Sequence, residues 1–463
     1  MFAAGVYIER RRRLSQLVGS GVVVFLGNDE SPMNYADNPY AFRQDSSFLY
    51  YFGLDLPGLV AVIDIDRGVE TVFGEDLTVE QIVWMGPRFG LSERCREVGV
   101  QQTAGLADLP EMLKKAVQQK RTIHLLPQYR PENISKVQRL LDIPAGAVAG
   151  YISPALIKAV VAQRSVKAAE EIGQIEAALE ITCQMHITAM KMTRPGVYER
   201  QVVGAMEGIA RSMGGQIAFP VIFSVQGQIL HNHYYGNVMK PGQMAVNDCG
   251  AESALHYASD ITRTIPVGGR FSGRQKEIYN LVLKAQEQAI DAIRPGVAFR
   301  DVHLLACRVI TGGLKELGLI SGDIDEAVNV GAHSLFLPCG LGHMVGLDVH
   351  DMEALGEDYV GYTDSIRRSP QFGLRSLRLA KELQPGFVVT VEPGIYFIPQ
   401  LIDCWRAERK HIQYINYDAV EKYRDFGGIR LEDDVLVMDT GCRMLGKKIP
   451  KTIEEVEAAA GQE

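Results

Sequence analysis

Residues 244–265, MAVNDCGAESALHYASDITRTI, put two acids into sequence that otherwise reads as sheet. MAV precedes Asp248 and ITRTI follows Asp260, both runs suited to a pleated strand, and Gly250 and Ser253 supply a turn between them. The pattern predicts an antiparallel hairpin. Side chains alternate between strand faces and paired strands lie about 4.8 Å apart, so both carboxylates can reach one face. Two bare negative charges there repel each other. Either one is protonated or a cation lies between them, and an oxygen-rich pair favours Mn, Mg, Ca or Zn over a soft metal. The alternative is two solvated acids at strand ends joined by a loop.

The theme recurs toward the carboxyl end. LFLPCGLGHMVGLDVHD holds His343 and His350, seven residues apart, with Asp348 and Asp351 close by and glycines that let the backbone approach a site. FVVTVEPGIYF carries Glu392 in a β-branched run ended by Pro393-Gly394, and GGIRLEDDVLVM carries Glu432 two residues after Arg430. An acid in an apolar strand is unfavourable to bury without compensation. Four acids and a histidine, all on glycine-bordered strands, suggest a two-metal carboxylate centre in which four negative charges balance two divalent cations.

Toward the amino end the chain alternates. GVVVFLG, LVAVIDID, VETVFG and TIHLLP read as strands and LPEMLKKAVQQK as a helix, predicting an α/β domain through about residue 150. The basic run Arg10–Arg13 reads as the solvated face of a first helix, and His124 as a core histidine. Residues 151–165 read as a junction broken by a proline before a long helix, in which Cys183 and His186 are taken as core. RPGV recurs at 194–197 and 294–297, each time after a helix, which hints at internal duplication.

With 463 residues, two or three domains are expected. A composition 46% hydrophobic and 22% charged supports large cores, and a net charge of −8 argues against nucleic acid or an anionic membrane as partner. No apolar run of about 18 residues suggests a membrane span, and the start has no secretory h-region. Seven scattered cysteines without a CxxC pair speak against a disulfide framework and suit a reducing cytoplasm.

The order Asp, Asp, His, Glu, Glu in NDCG, SDITRT, GLGH, VEPGIYF and GIRLEDD resembles the pita-bread metallopeptidase family of methionine aminopeptidase, aminopeptidase P, prolidase and creatinase. FRQDSSFLYYFG and WMGPR look like the amino-terminal domain of its proline-specific members, and GLRSLRLAKELQPG looks most like the prolidase branch. The resemblance implies an α/β amino-terminal domain over 1–160 and an α+β pita-bread catalytic domain over 165–463. It implies Asp248, Asp260, His343, Glu392 and Glu432 as ligands of two divalent metals, Mn first, with Zn or Co as other candidates. Glu392 is then the proton shuttle. His231 (or His233) and His350 bind substrate and the tetrahedral intermediate, Arg430 orients the site, and Arg378 pairs with a substrate carboxylate. Expected partners are Xaa-Pro dipeptides or short proline-containing peptides, and the expected state is a homodimer or homotetramer. One residue departs from the pattern: Cys339 stands where the family usually has a histidine, giving CGLGH. A thiol is a weak hydrogen-bond partner. That departure keeps open a second reading, a weakly active or non-catalytic binding protein on the same fold.

Overall fold

The apolar run VVVFL becomes β1 (Val22–Leu26), buried along its whole length. With β2 (Val60–Asp64), β3 (Val69–Phe73), β4 (Gln102–Ala104) and β5 (Ile123–His124) it forms a sheet in the order β4-β3-β2-β1-β5. The inner pairs are antiparallel and the outer two parallel. Helices Leu109–Gln118 and Pro131–Leu141 lay Leu109, Leu113 and Val137 on Val22, Val24, Val60 and Val62, the two-layer packing that an α/β unit requires. FRQDSSFLYYF folds as helix Ser46–Phe52, capped by Asp45, whose side chain accepts from the Phe48 N–H.

The computed structural model describes residues 1–87 and 89–461, so Arg88 of the WMGPR stretch lies outside the described residues. By its internal packing the chain divides into two units, Met1–Arg164 with Met352–Tyr359, and Ser165–Asp351 with Val360 onward.

Two expectations for the first unit change. Of the four arginines read as a solvated face, Arg10 and Arg11 are buried. Arg11 ion-pairs with Glu70 at 2.7 Å and donates to the carbonyls of Tyr51 and Val98, while the Arg10 guanidinium sits 3.9 Å from the centre of the Tyr50 ring. A planar fork with five donors can satisfy itself on backbone carbonyls inside a protein, which charge counting does not register. Residues 154–165 are not a broken junction but a helix, Pro154–Ser165, because proline at a first helical position starts a helix rather than stopping one. His124 is a core residue as expected, bonded to Ser153 Oγ at 2.8 Å and the Ser20 carbonyl at 3.0 Å.

The second unit opens with the helix pair Ala169–Met192 and Glu199–Ser212, and a later pair spans Gly273–Ala292 and Phe299–Glu316. His186 is wholly buried in the first of these, held by the Ile261 carbonyl and Asn247. The RPGV turns that join the pairs are geometric copies. Gly196 and Gly296 sit at φ 86° and 83°, each glycine N–H donates at 2.9 Å to a distant carbonyl (Met239, Leu383), and each following valine closes on its arginine carbonyl. A left-handed φ is what makes glycine necessary there. Sheets follow each pair. β6 (Gln216–Ile217) pairs with β9 (Ala251–Glu252), while β7 (Ile222–Ser224), β8 (Met244–Cys249) and β10 (Ile261–Pro266) lie in the order β10-β8-β7. Further on, β11 (Val388–Val391), β14 (Asp433–Val437) and β15 (Cys442–Met444) form one sheet and β12 (Gly394–Tyr396) pairs with β13 (Gly428–Arg430). Among the described residues no helix is long and apolar enough to cross a membrane, and all seven cysteines are free.

Candidate active site

The 244–265 stretch does form an antiparallel hairpin, with Thr262 opposite Asp248 and β7 on the other side placing Ile222 there too. Asp248 therefore sits on a central strand, and Asp260 just before β10. The turn differs from expectation. Ser253 turns the chain, accepting from His256 N–H and donating to the Tyr257 carbonyl, but Gly250 lies in a crossing where a Cβ would come within 1.7 Å of the Ser259 carbonyl. Its role is close backbone approach.

Glu392 and Glu432 face each other across a break in a second ribbon. Val391 pairs with Asp433 and Gly394 with Arg430, so the two glutamates occupy the unpaired step between two ladders. Cross-links hold that step open. Glu392 N–H donates to the Leu341 carbonyl at 2.8 Å, Glu432 N–H donates to the Thr262 carbonyl at 3.1 Å, and Thr262 Oγ1 donates to Glu432 Oε2 at 2.6 Å. The strand period then sorts LEDD. Glu432 faces the hairpin, Asp433 turns away to Arg263 and Lys451, and Asp434 turns back to accept the Asp260 N–H at 3.0 Å.

His343 joins from the CGLGH loop, whose Gly342 packs so tightly that a Cβ would meet the Thr390 carbonyl at 2.2 Å. Its Nδ1 bonds the Met344 carbonyl at 3.1 Å, which aims Nε2 at Asp260 Oδ2 and Glu392 Oε1, each 3.5 Å away. One ligand atom from each of Asp260, His343 and Glu432 falls within 4.8 Å of the others. All five residues named as metal ligands from the sequence border one cavity of about 430 Å³, together with His231, His233, Cys339, His350, Arg378 and Arg430. The His343 and His350 rings lie 4.3 Å apart, edge to face. Phe219, Pro220, Ile222, Leu230 and Val349 supply apolar walls.

The charges are crowded. Burial, then the neighbouring Glu432 and Asp248, push Asp260 well above the usual carboxylate range; burial and Glu392 do the same to Glu432. Burial raises Glu392 to about 7, opposed by Arg430 and assisted by Asp248. Burial and His350 lower His343, which keeps its imidazole neutral, and burial lowers His231 against the pull of Asp248. Burial lifts the Cys339 thiol to about 12, so it is a neutral thiol. Asp248 Oδ1 and Asp260 Oδ1 are buried with no hydrogen-bond partner. Buried carboxylate oxygens without a donor, beside a neutral imidazole nitrogen, are the donor set that hard divalent cations take. The residues fit the two metals.

Arg430 bridges the two halves of this centre. It donates Nη2 to Asp248 Oδ2 across 182 residues of chain, Nη1 to the Tyr396 hydroxyl at 3.0 Å and Nε to Thr262 Oγ1 at 3.1 Å. Thr262, Tyr396 and Asp434 were not picked out from the sequence. Their one local signal was the two-residue period that puts Thr262 and Asp260 on a common face. Arg430→Ala should destabilise the metal-free protein by about 3–5 kcal/mol, the loss expected when a buried ion pair keeps only one partner. The loss should shrink in the metal-loaded protein, where a cation shares the charge of Asp248. Denaturant midpoints in both states check this, and equal losses would contradict it.

Residues 173–439 match Metallopeptidase family M24 and residues 7–125 match Aminopeptidase P, N-terminal domain. The human Xaa-Pro dipeptidase is 31% identical over 97% of this chain and 90% of its own length, and the Xaa-Pro aminopeptidase of Escherichia coli K12 is 30% identical over 97% of each. Among solved structures, the Pseudomonas aeruginosa aminopeptidase superposes with a TM-score of 0.80 at 29% identity over 98% of both chains. A variant of Escherichia coli aminopeptidase P in complex with substrate gives 0.79 at 28% identity, over 99% of this chain and 98% of that one.

Proposed function

Because this chain belongs to metallopeptidase family M24, with the pita-bread fold following an aminopeptidase P-type amino-terminal domain in sequence, we propose that it hydrolyses the amino-terminal Xaa-Pro bond of dipeptides or short peptides. The observation that carries this reading is the pair of buried, unpartnered carboxylate oxygens on Asp248 and Asp260, set with His343, Glu392 and Glu432 against one cavity. Those five residues would hold two divalent ions; Mn is our assignment, with Zn or Co the alternatives. When bound, the ions supply polarisation of the scissile carbonyl and a water acidic enough to attack near neutral pH.

The chain's own residues do the rest. Glu392 is the acid whose side chain keeps the most contact with the cavity, 20% exposed against 11% for Asp248 and 7% for Asp260. It can take the proton of the attacking water and deliver it to the proline nitrogen, which carries no hydrogen in the peptide and must gain one to leave as a secondary amine. His231 and His350 line the same cavity as donors toward the substrate carbonyl. Arg378, on the cavity wall rather than on a surface helix, presents a planar fork to a terminal carboxylate. Arg430 holds Asp248 in place. Cys339, a neutral thiol against the same cavity, offers only a weak hydrogen bond where an imidazole would donate a strong one. A cytoplasmic setting and a dimeric or tetrameric state complete the proposal.

The test is release of amino acids from Gly-Pro and from Gly-Pro-Ala by Mn-loaded protein. Cleavage of the dipeptide alone identifies a prolidase, and cleavage of the tripeptide an Xaa-Pro aminopeptidase. Cys339→His should raise turnover by up to about 100-fold, the scale of loss attached to one missing active-site donor. Inactivity of both proteins toward both peptides, at full metal content, would overturn the assignment.

A further inference from the structure

A second cluster of metal-ligating side chains lies outside the residues that line the carboxylate cavity. His303 and Cys307 are one turn apart on helix Phe299–Glu316, and His333 stands on the short 3₁₀ turn Ala332–Leu335. They are 1%, 0% and 2% exposed. One ligand atom from each lies within 4.8 Å of the other two, and Cys307 Sγ is 3.4 Å from His303 Nε2. That separation matches the edge of a tetrahedron about an ion with metal–sulfur and metal–nitrogen bonds of about 2.3 and 2.0–2.1 Å.

Hydrogen bonding supplies an independent sign that the cluster is incomplete. The Nδ1 atoms of both His303 and His333 are buried without any hydrogen-bond partner. Ser334 Oγ, 3.5 Å from His333 Nε2, gives its own proton to the Phe372 carbonyl at 3.0 Å. Its remaining capacity toward the ring is as acceptor, so Nε2 carries the proton and Nδ1 keeps a bare lone pair. A second-row partner that fixes the tautomer in this way is the usual companion of a metal-binding histidine. With His303 Nε2 facing the Cys307 sulfur, His303 Nδ1 carries the proton; the lone pairs of His303 Nε2 and His333 Nδ1 and the Cys307 thiol, gathered in an apolar interior, are a donor set for an electrophile that protein atoms do not provide.

We propose that His303, Cys307 and His333 form a third metal site, for a soft or borderline ion such as Zn²⁺ or Cu⁺, structural in role and separate from the peptidase centre. Imidazole and thiolate select such ions over the hard cations suited to carboxylates. Burial lowers His303 to about 3 and His333 to about 4, so both rings are neutral and available as ligands; burial raises the Cys307 thiol, which must release its proton as the ion binds. The ion would tie the helix to the segment that runs on into Cys339 and His343, and so brace the loop that supplies the centre's histidine. With its ligands so deeply buried the site fills as the chain folds.

The test uses the full chain produced in zinc-depleted, cobalt-supplemented medium. The expected result is one cobalt per chain beyond the carboxylate centre, with a near-ultraviolet sulfur-to-cobalt charge-transfer band that oxygen and nitrogen ligands cannot give. The band should vanish in Cys307→Ser, vanish or shift in His333→Gln, and persist in Cys339→Ser and in Asp260→Asn. A native chain with cobalt in the carboxylate centre but no thiolate band overturns the proposal, whether or not the variants fold. So does a band lost in Cys339→Ser and retained in Cys307→Ser, which would assign the sulfur to the catalytic centre.

Discussion

Glu392→Gln is expected to lower kcat on an Xaa-Pro peptide by about two to four orders of magnitude, the usual contribution of a positioned general acid–base group. Amide replaces carboxylate with almost no change of shape, so the cavity and the Thr390 Oγ1 contact to this side chain, 3.4 Å, can persist. What is lost is the capacity to take and return a proton. Because Glu392 is also one of the five proposed ligands, metal content must be measured beside the rate. Retained metal with a collapsed kcat and a nearly unchanged KM supports the shuttle; retained metal with an unchanged kcat removes Glu392 from that role.

Stripping the metals should lower the melting temperature and abolish activity, and Mn should restore both. A ligand that binds only the folded state stabilises it by about 2.7 kcal/mol at one hundred times its dissociation constant, so two ions give a large effect. The effect should grow as pH rises through about 7, where Glu392 gives up its proton. The sign follows from Glu392. Its folded pKa of about 7 exceeds the ordinary 4.5, so the folded metal-free protein holds a proton that the unfolded chain has lost, and stability falls as pH rises between those values. At about 1.4 kcal/mol per pH unit this reaches on the order of 3 kcal/mol. Buried neutral histidines pull the other way: His186, His303 and His333 have pKa values of about 3, 3 and 4 and weaken the fold as pH drops below the ordinary 6.5. The comparison is therefore native against Glu392→Gln, both metal-free. They should be about equally stable near pH 4, below the ordinary 4.5, and the glutamine protein should be the more stable at pH 8. No pH dependence in that difference, or no change in melting with chelator, would sink the charged-centre account.

Much of this was legible locally. Asp248 and Asp260 declare a hairpin because β-branched neighbours surround them, and a charge in such a run demands a compensating partner wherever the strand is buried. The helix ends at Gly196 and Gly296 are likewise written in a four-residue motif whose glycine must take positive φ. Local pattern misled where burial depends on distant partners. Arg10 and Arg11 look like surface charge until the carbonyls of Tyr50, Tyr51 and Val98 arrive from up to 87 residues away.

Periodicity can state that a residue is apolar-facing or polar-facing, but not what it faces. The division of Glu432, Asp433 and Asp434 among three partners, and the meeting of Arg430 with Asp248 and of His303 and Cys307 with His333, came only with the folded chain. The reason is physical. Strand and helix periods are set by backbone geometry over a few residues, whereas a buried charge or lone pair is satisfied by whatever group the tertiary packing brings within about 3 Å.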